Sequence, residues 1–217
     1  MDVQYCFPRN NTKGLSNAHS RSYSAMSMID LGRGAVHLSS EPGAGRTTLC
    51  LNMANDVLES GGRVIWSCMK TPDQVRFSKI MEDLDRDRLM DFRVIEFGNH
   101  LAMIEEVLIE NIRNLETDDL VIIDDWCGPT GRAKKVEINS LIRIIETSDC
   151  GVIATSSAVV NASGSGPGLV ARGGVVISAK MRSLMLLEHP TRESHRILSD
   201  DSGDILLRMD EYGLSPV

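Results

Sequence analysis

Residues 35–49 read AVHLSSEPGAGRTTL, an apolar strand, a tight glycine turn and the start of a helix. A strand that feeds a helix through so short a turn commits the chain to α/β architecture. The pattern is an altered phosphate-binding loop, whose usual form is G-x-x-x-x-G-K-[ST]. Ser40 takes the first glycine position and Arg46 the lysine position, while Gly45 and Thr47 match. Such a loop works mostly through its backbone, because successive N–H groups and a helix N-terminus point at an anion. Gly43 and Gly45 permit positive φ and close approach of a phosphate. The candidate nucleotide contacts are therefore Gly43, Ala44, Gly45, Arg46, Thr47 and Thr48, with the Thr47 hydroxyl as a ligand for Mg²⁺. Arg46 keeps the positive charge but replaces a compact ammonium with a longer planar fork. Nucleotide binding is thus expected to be more robust than hydrolysis.

The rest of the chain extends the same alternation. Residues 63–68 and 92–97 read as strands, and Leu120–Asp124 is a continuous apolar run suited to burial on both faces. Leu49, Met53 and Val57, with Leu51, Ala54 and Leu58, put a helical stripe after the loop, closed by Gly61 and Gly62. Thr71 and Pro72 read as the cap and first residue of a second helix. Leu101, Ile104, Leu108, Ile112 and Leu115 recur at steps of three and four, as in one long amphipathic helix. Ile138, Leu141, Ile142 and Ile145 mark another helix, and residues 151–155 another strand. This order predicts a mostly parallel sheet with helices on both faces. Residues 161–168 are loop by composition, and the segments 183–188, 195–198 and 205–209 read as an antiparallel C-terminal extension. Residues 1–24 are polar and aperiodic, a flexible tail ahead of a single domain at 25–217.

Composition excludes several classes. The 217 residues are 24% charged and 42% hydrophobic, which suits a soluble globular chain, and the apolar runs are too short to span a bilayer. The five cysteines are scattered and lack C-x-x-C spacing, so a cytoplasmic setting is expected. A net charge of −7 argues against indiscriminate nucleic-acid binding but leaves room for a local basic patch.

Asp124 ends the apolar strand about where a Walker-B acid stands, beside the phosphate loop and able to hold Mg²⁺. Asp125 reads equally as a second acid or a solvated side chain. Together the loop at Ser40–Thr48, the strand Leu120–Asp124 and the C-terminal block resemble the RecA/RadA recombinase superfamily, most closely its short archaeal RadB branch. In that block Gly173 and Gly174 precede AKMRSL at 179–184, and 205–214 reads ILLRMDEYGL, similar to the family's closing F-R-I-T-E-x-G-I segment. The resemblance covers about Ser27 to Val217. It implies a RecA-like P-loop NTPase core, ATP with Mg²⁺, and a role in DNA recombination or repair. It also implies single-stranded DNA as a partner, with a recombinase or a second copy of the chain as a protein partner.

The departures cluster at the hydrolytic apparatus. Lys70 stands about where the family carries the glutamate that orients the attacking water, and Thr155, Ser156 and Ser157 replace a sensor residue that is often glutamine. A charged lysine cannot take the water's proton. With Arg46, three parts are altered together, and such losses multiply because phosphoryl transfer depends on positioning and electrostatics. The expectation is at most a weak, DNA-associated ATPase. The family's two DNA loops correspond to 128–135 and 159–173, where Arg132, Lys134, Lys135 and Arg172 supply cations. Trp126 reads either as a base-stacking platform or as an aromatic covering the sheet edge. The rival reading is a non-catalytic RecA-fold scaffold or regulatory subunit without DNA binding, resembling KaiC-type or RNA-modification-complex subunits.

Overall fold

The apolar run Leu120–Asp124 is fully buried because it is an interior strand of a sheet with helices on both faces. The computed structural model describes Ile29, Leu31, 34–161 and 168–217, so the expected tail at 1–24 and most of the expected loop at 161–168 lie outside the described residues. In chain order the strands are β1 (Ala35–Ser40), β2 (Val64–Cys68), β3 (Phe92–Glu96), β4 (Leu120–Asp124), β5 (Gly151–Ser157), β6 (Val159–Val160), β7 (Leu169–Val170), β8 (Arg182–Glu188), β9 (His195–Asp200), β10 (Gly203–Asp210) and β11 (Gly213–Pro216). The helices are α1 (Arg46–Glu59), α2 (Gln74–Ile80), α3 (Arg86–Met90), α4 (Glu105–Ile112), α5 (Lys135–Thr147) and α6 (Gly174–Ser178).

Nine strands form one sheet in the order β11-β10-β9-β8-β1-β5-β4-β2-β3. From β8 to β3 the neighbours are parallel, and β8 through β11 pair antiparallel. This is the expected parallel sheet with its antiparallel extension, a RecA-like α/β fold. Alternation along the strands divides the core. Val64 and Trp66 on β2, with Ile122 on β4, pack on the α1 side, whereas Ile65, Val121 and Ile123 pack with Leu108, Leu141 and Ile144 of α4 and α5. α1 is buried almost all round, from Leu49 to Leu58, because β11 and α2 cover the face that the sheet does not.

Local expectations fail where competing caps or packing intervene. α2 starts at Gln74, not after Thr71, because the Asp73 side chain accepts the Arg76 N–H at 2.9 Å and so caps the helix two residues later. The single helix expected over Leu101–Leu115 is divided into a 3₁₀ turn at Leu101–Met103 and α4, with Ile104 at φ −114° between them. Its apolar spacing persists across the break, since Leu101, Leu108 and Ile112 all remain buried.

Candidate nucleotide site and its flanking loops

β1 delivers the loop to the carboxyl end of the sheet, between β8 and β5. Gly43 (φ 86°) and Gly45 (φ 100°) are both left-handed, and Gly45 is the residue before α1. Their reasons for being glycine differ. A Cβ on Gly43 meets nothing within 4 Å, whereas one on Gly45 collides with Met209 Cε of β10. Gly45 is thus held by packing against the C-terminal extension as well as by its dihedral. Ala44 is buried and Thr48 lies in the first turn of α1.

Thr47 and Asp124 come together as the motif requires. Thr47 Oγ1 donates to Asp124 Oδ2 at 3.0 Å, and Thr155 Oγ1 donates to Oδ1 at 2.7 Å. Thr155 Oγ1 also accepts the Asp125 N–H at 2.9 Å. Burial pushes the Asp124 carboxyl above the usual range, against the Thr155 hydrogen bond and the nearby Arg46 charge. A hydroxyl and a buried carboxylate short of positive charge suit a hard cation, so Thr47 and Asp124 fit Mg²⁺.

Arg46 departs from the usual lysine in a way that Ser40 explains. Its Nη1 donates to Ser40 Oγ at 3.3 Å, and its Nη2 forms an ion pair with Asp125. The two departures from the loop pattern therefore belong together: the hydroxyl that replaces glycine is a partner for the fork that replaces ammonium. Asp125 is the non-glycine residue with positive φ (58°) among those described, a conformation that costs energy and persists only where its surroundings impose it. Its ion pair and the bond from its N–H to Thr155 supply that constraint. Lys70 is exposed in the bend after β2, so no carboxylate stands at that position.

Behind the site lies a buried polar cluster that sequence reasoning missed. Trp126 Nε1 donates to His37 Nε2 at 3.1 Å, and Ser156 Oγ lies 2.8 Å from the same nitrogen. An indole nitrogen only donates, so Nε2 is an acceptor and the His37 proton sits on Nδ1. Burial, with Arg46 nearby, lowers the His37 pKa to about 4. The alternative left open for Trp126 resolves here. It is wholly buried, edge-on to His37, and is not a platform for bases.

The loop cations separate into two kinds. Arg132 is exposed in the loop before α5, and Lys134 and Lys135 are exposed at the start of the helix. Arg172 is not exposed and does not join them. Its Nε donates to the Ser157 carbonyl at 2.9 Å, and its two terminal nitrogens donate to the Gly131 and Pro129 carbonyls. The expected phosphate contact is corrected to a buried tie between the two loops, because its donors are directed at backbone oxygens. A second buried arginine, Arg196 of β9, donates Nε–H to the Ala44 carbonyl at 2.9 Å. Its signal in the sequence was strand parity: Arg196 and Leu198 share the inward face of β9.

No protein-family model and no curated protein matches the chain. Among solved structures it is similar to one described as the crystal structure of the RadB recombinase. The two share 16% identity over 89% of this chain and 96% of that one, with a TM-score of 0.69. At that identity the likeness is one of fold, and it agrees with the RecA-like strand order. Among the described residues no helix is long and apolar enough to cross a membrane.

Proposed function

We propose that this chain is a RadB-like, cytoplasmic ATP-binding protein that assists DNA recombination or repair, with slow hydrolysis or none. The observation that carries the nucleotide reading is the Thr47–Asp124 hydrogen bond beneath a loop whose two glycines are left-handed. In this reading the N–H groups of residues 43–48 and the start of α1 bind the phosphates. Arg46 turns from Asp125 toward them, and Thr47 and Asp124 hold Mg²⁺. The bound ion neutralises phosphate charge. The exposed Lys70 offers no base to an attacking water, and Thr155 is already bonded to Asp124. These features favour holding ATP over turning it over. Arg132, Lys134 and Lys135 form the single-stranded DNA contact beside the site, narrower than a four-cation patch. A recombinase or another copy of the chain is the protein partner in this reading.

The test is isothermal titration with Mg–ATP together with phosphate release at saturating ATP, with and without single-stranded DNA. The expected result is saturable binding with turnover well below about 1 s⁻¹, the low end of typical enzymes. Turnover at or above that rate would show that Arg46 and Lys70 do not disable hydrolysis. Binding of ATP but no binding of single-stranded DNA at low salt would replace this reading with the scaffold one.

A further inference from the structure

We infer that Arg196 is the positioning residue of the phosphate loop, holding it open for a nucleotide's phosphates from the C-terminal sheet. The inference rests on the nucleotide reading for its ligand, but not for its geometry. Arg196 is 8% exposed and lies on β9, which β8 separates from β1 in the sheet. Its Nε–H donates to Ala44 O, and Nη1 donates to the carbonyls of Glu193 (2.6 Å) and His195 (2.8 Å). A buried guanidinium is costly unless its donors are satisfied, and here backbone oxygens from two separate segments take the Nε and Nη1 donors, while Nη2 faces the Glu188 carboxylate at 3.8 Å.

The consequence follows from peptide geometry. The described peptides are all trans, and in a trans peptide the carbonyl and the next N–H point in opposite directions. Fixing the Ala44 carbonyl toward β9 therefore turns the Gly45 N–H away from the C-terminal sheet. Other contacts act in the same sense. Met209 and Leu214 occupy the side of Gly45 where a Cβ would stand. Asn52 of α1 donates to the Tyr212 carbonyl and accepts the Leu214 N–H, both at 2.9 Å, so the helix behind the loop is seated on β11. A loop that must present several N–H groups to one anion gains affinity when its conformation is set before the anion arrives. Arg196 sets it at the peptide before the helix.

A purely structural alternative is that Arg196 only ties the turn at 189–195 to the sheet through Glu193 and His195. Hydrogen exchange of the nucleotide-free full chain separates the two. In Arg196→Gln, faster exchange confined to the amides of residues 43–47 is expected. Equal acceleration across β9 and β10 would overturn the inference, as would no change in the loop. Titration with Mg–ATP supplies the second readout, with affinity at least tenfold weaker in Arg196→Gln and about threefold weaker in Arg196→Lys, which keeps the charge but not the fork. Binding of both variants within the error of the parent would overturn it. Should Arg196→Gln fail to fold, Arg196→Lys decides by the same two measurements. A parent that binds no Mg–ATP would end the nucleotide reading, while loop exchange would still judge the strut.

Discussion

At the scale of single residues the site holds a buried carboxyl whose hydrogen bonds do not offset its burial. Asp124 is buried with its pKa raised, so the folded state resists its ionisation. The sign follows: ionisation destabilises the fold above the unfolded carboxyl's pKa, and the cost is complete above the raised folded value. Asp124→Asn should therefore raise the melting temperature of the nucleotide-free protein. One kcal/mol corresponds to about 2–4 °C for a chain of this size. The same change should weaken Mg–ATP binding at least tenfold. Calorimetry on both forms checks this, and a lower melting temperature would mean that the carboxylate supports the fold through Thr47 and Thr155. Thr47 and Asp124 were legible in the sequence because a motif specifies them by spacing. The Ser40–Arg46 and Arg46–Asp125 contacts were not, because each joins residues whose side chains meet only after the strand and helix are placed.

At the scale of elements, Arg172 makes one unit of two loops. Arg172→Gln should free the Pro129 and Gly131 carbonyls and open 128–134 to proteolysis ahead of the sheet. Limited digestion followed by mass spectrometry reads this, and unchanged cleavage there would assign the loop's order to other contacts. The exposed cations make a separate prediction. Each single-strand phosphate contact contributes roughly −0.7 to the slope of log affinity against log salt, so Arg132, Lys134 and Lys135 together should give about −2. Replacing all three with Ala should flatten that slope and leave ATP affinity unchanged. An unaltered slope would place any DNA contact elsewhere. Long elements were legible because period and apolar run identify them: β4 spans the residues expected, and α1 and α5 surround their stripes. The short ones, α3, α6 and β11, were not, since four or five residues carry too little periodicity to show which face is buried.

At the scale of the whole molecule, His37 links stability to acid. The folded protein keeps His37 neutral down to about pH 4, whereas an unfolded histidine takes its proton near 6.5. Between those values the unfolded state binds more protons, so stability rises with pH across that window and this contribution is flat above it. The full difference is about 3 kcal/mol. Urea unfolding of the parent and His37→Gln between pH 4 and 7 measures it. The parent should lose more stability on acidification, and parallel curves would mean that His37 titrates normally in the fold.

The order of the longer strands and helices, the mostly parallel core, the antiparallel extension and the Thr47–Asp124 pair were determined by the sequence alone. All of these follow from local period, turn chemistry or a spaced motif, which act over a few residues at a time. The burial of Arg172, the retreat of Trp126 onto His37, the division of the expected helix at Ile104 and the seating of the glycine loop before α1 on β9 to β11 were decided only by the tertiary structure. An arginine has the same five donors whether they meet a phosphate or three carbonyls. Which it meets depends on what the folded chain brings within hydrogen-bond reach: for Arg172 that was backbone 15 or more residues away, and for Arg196 the distant Ala44 carbonyl beside two local ones.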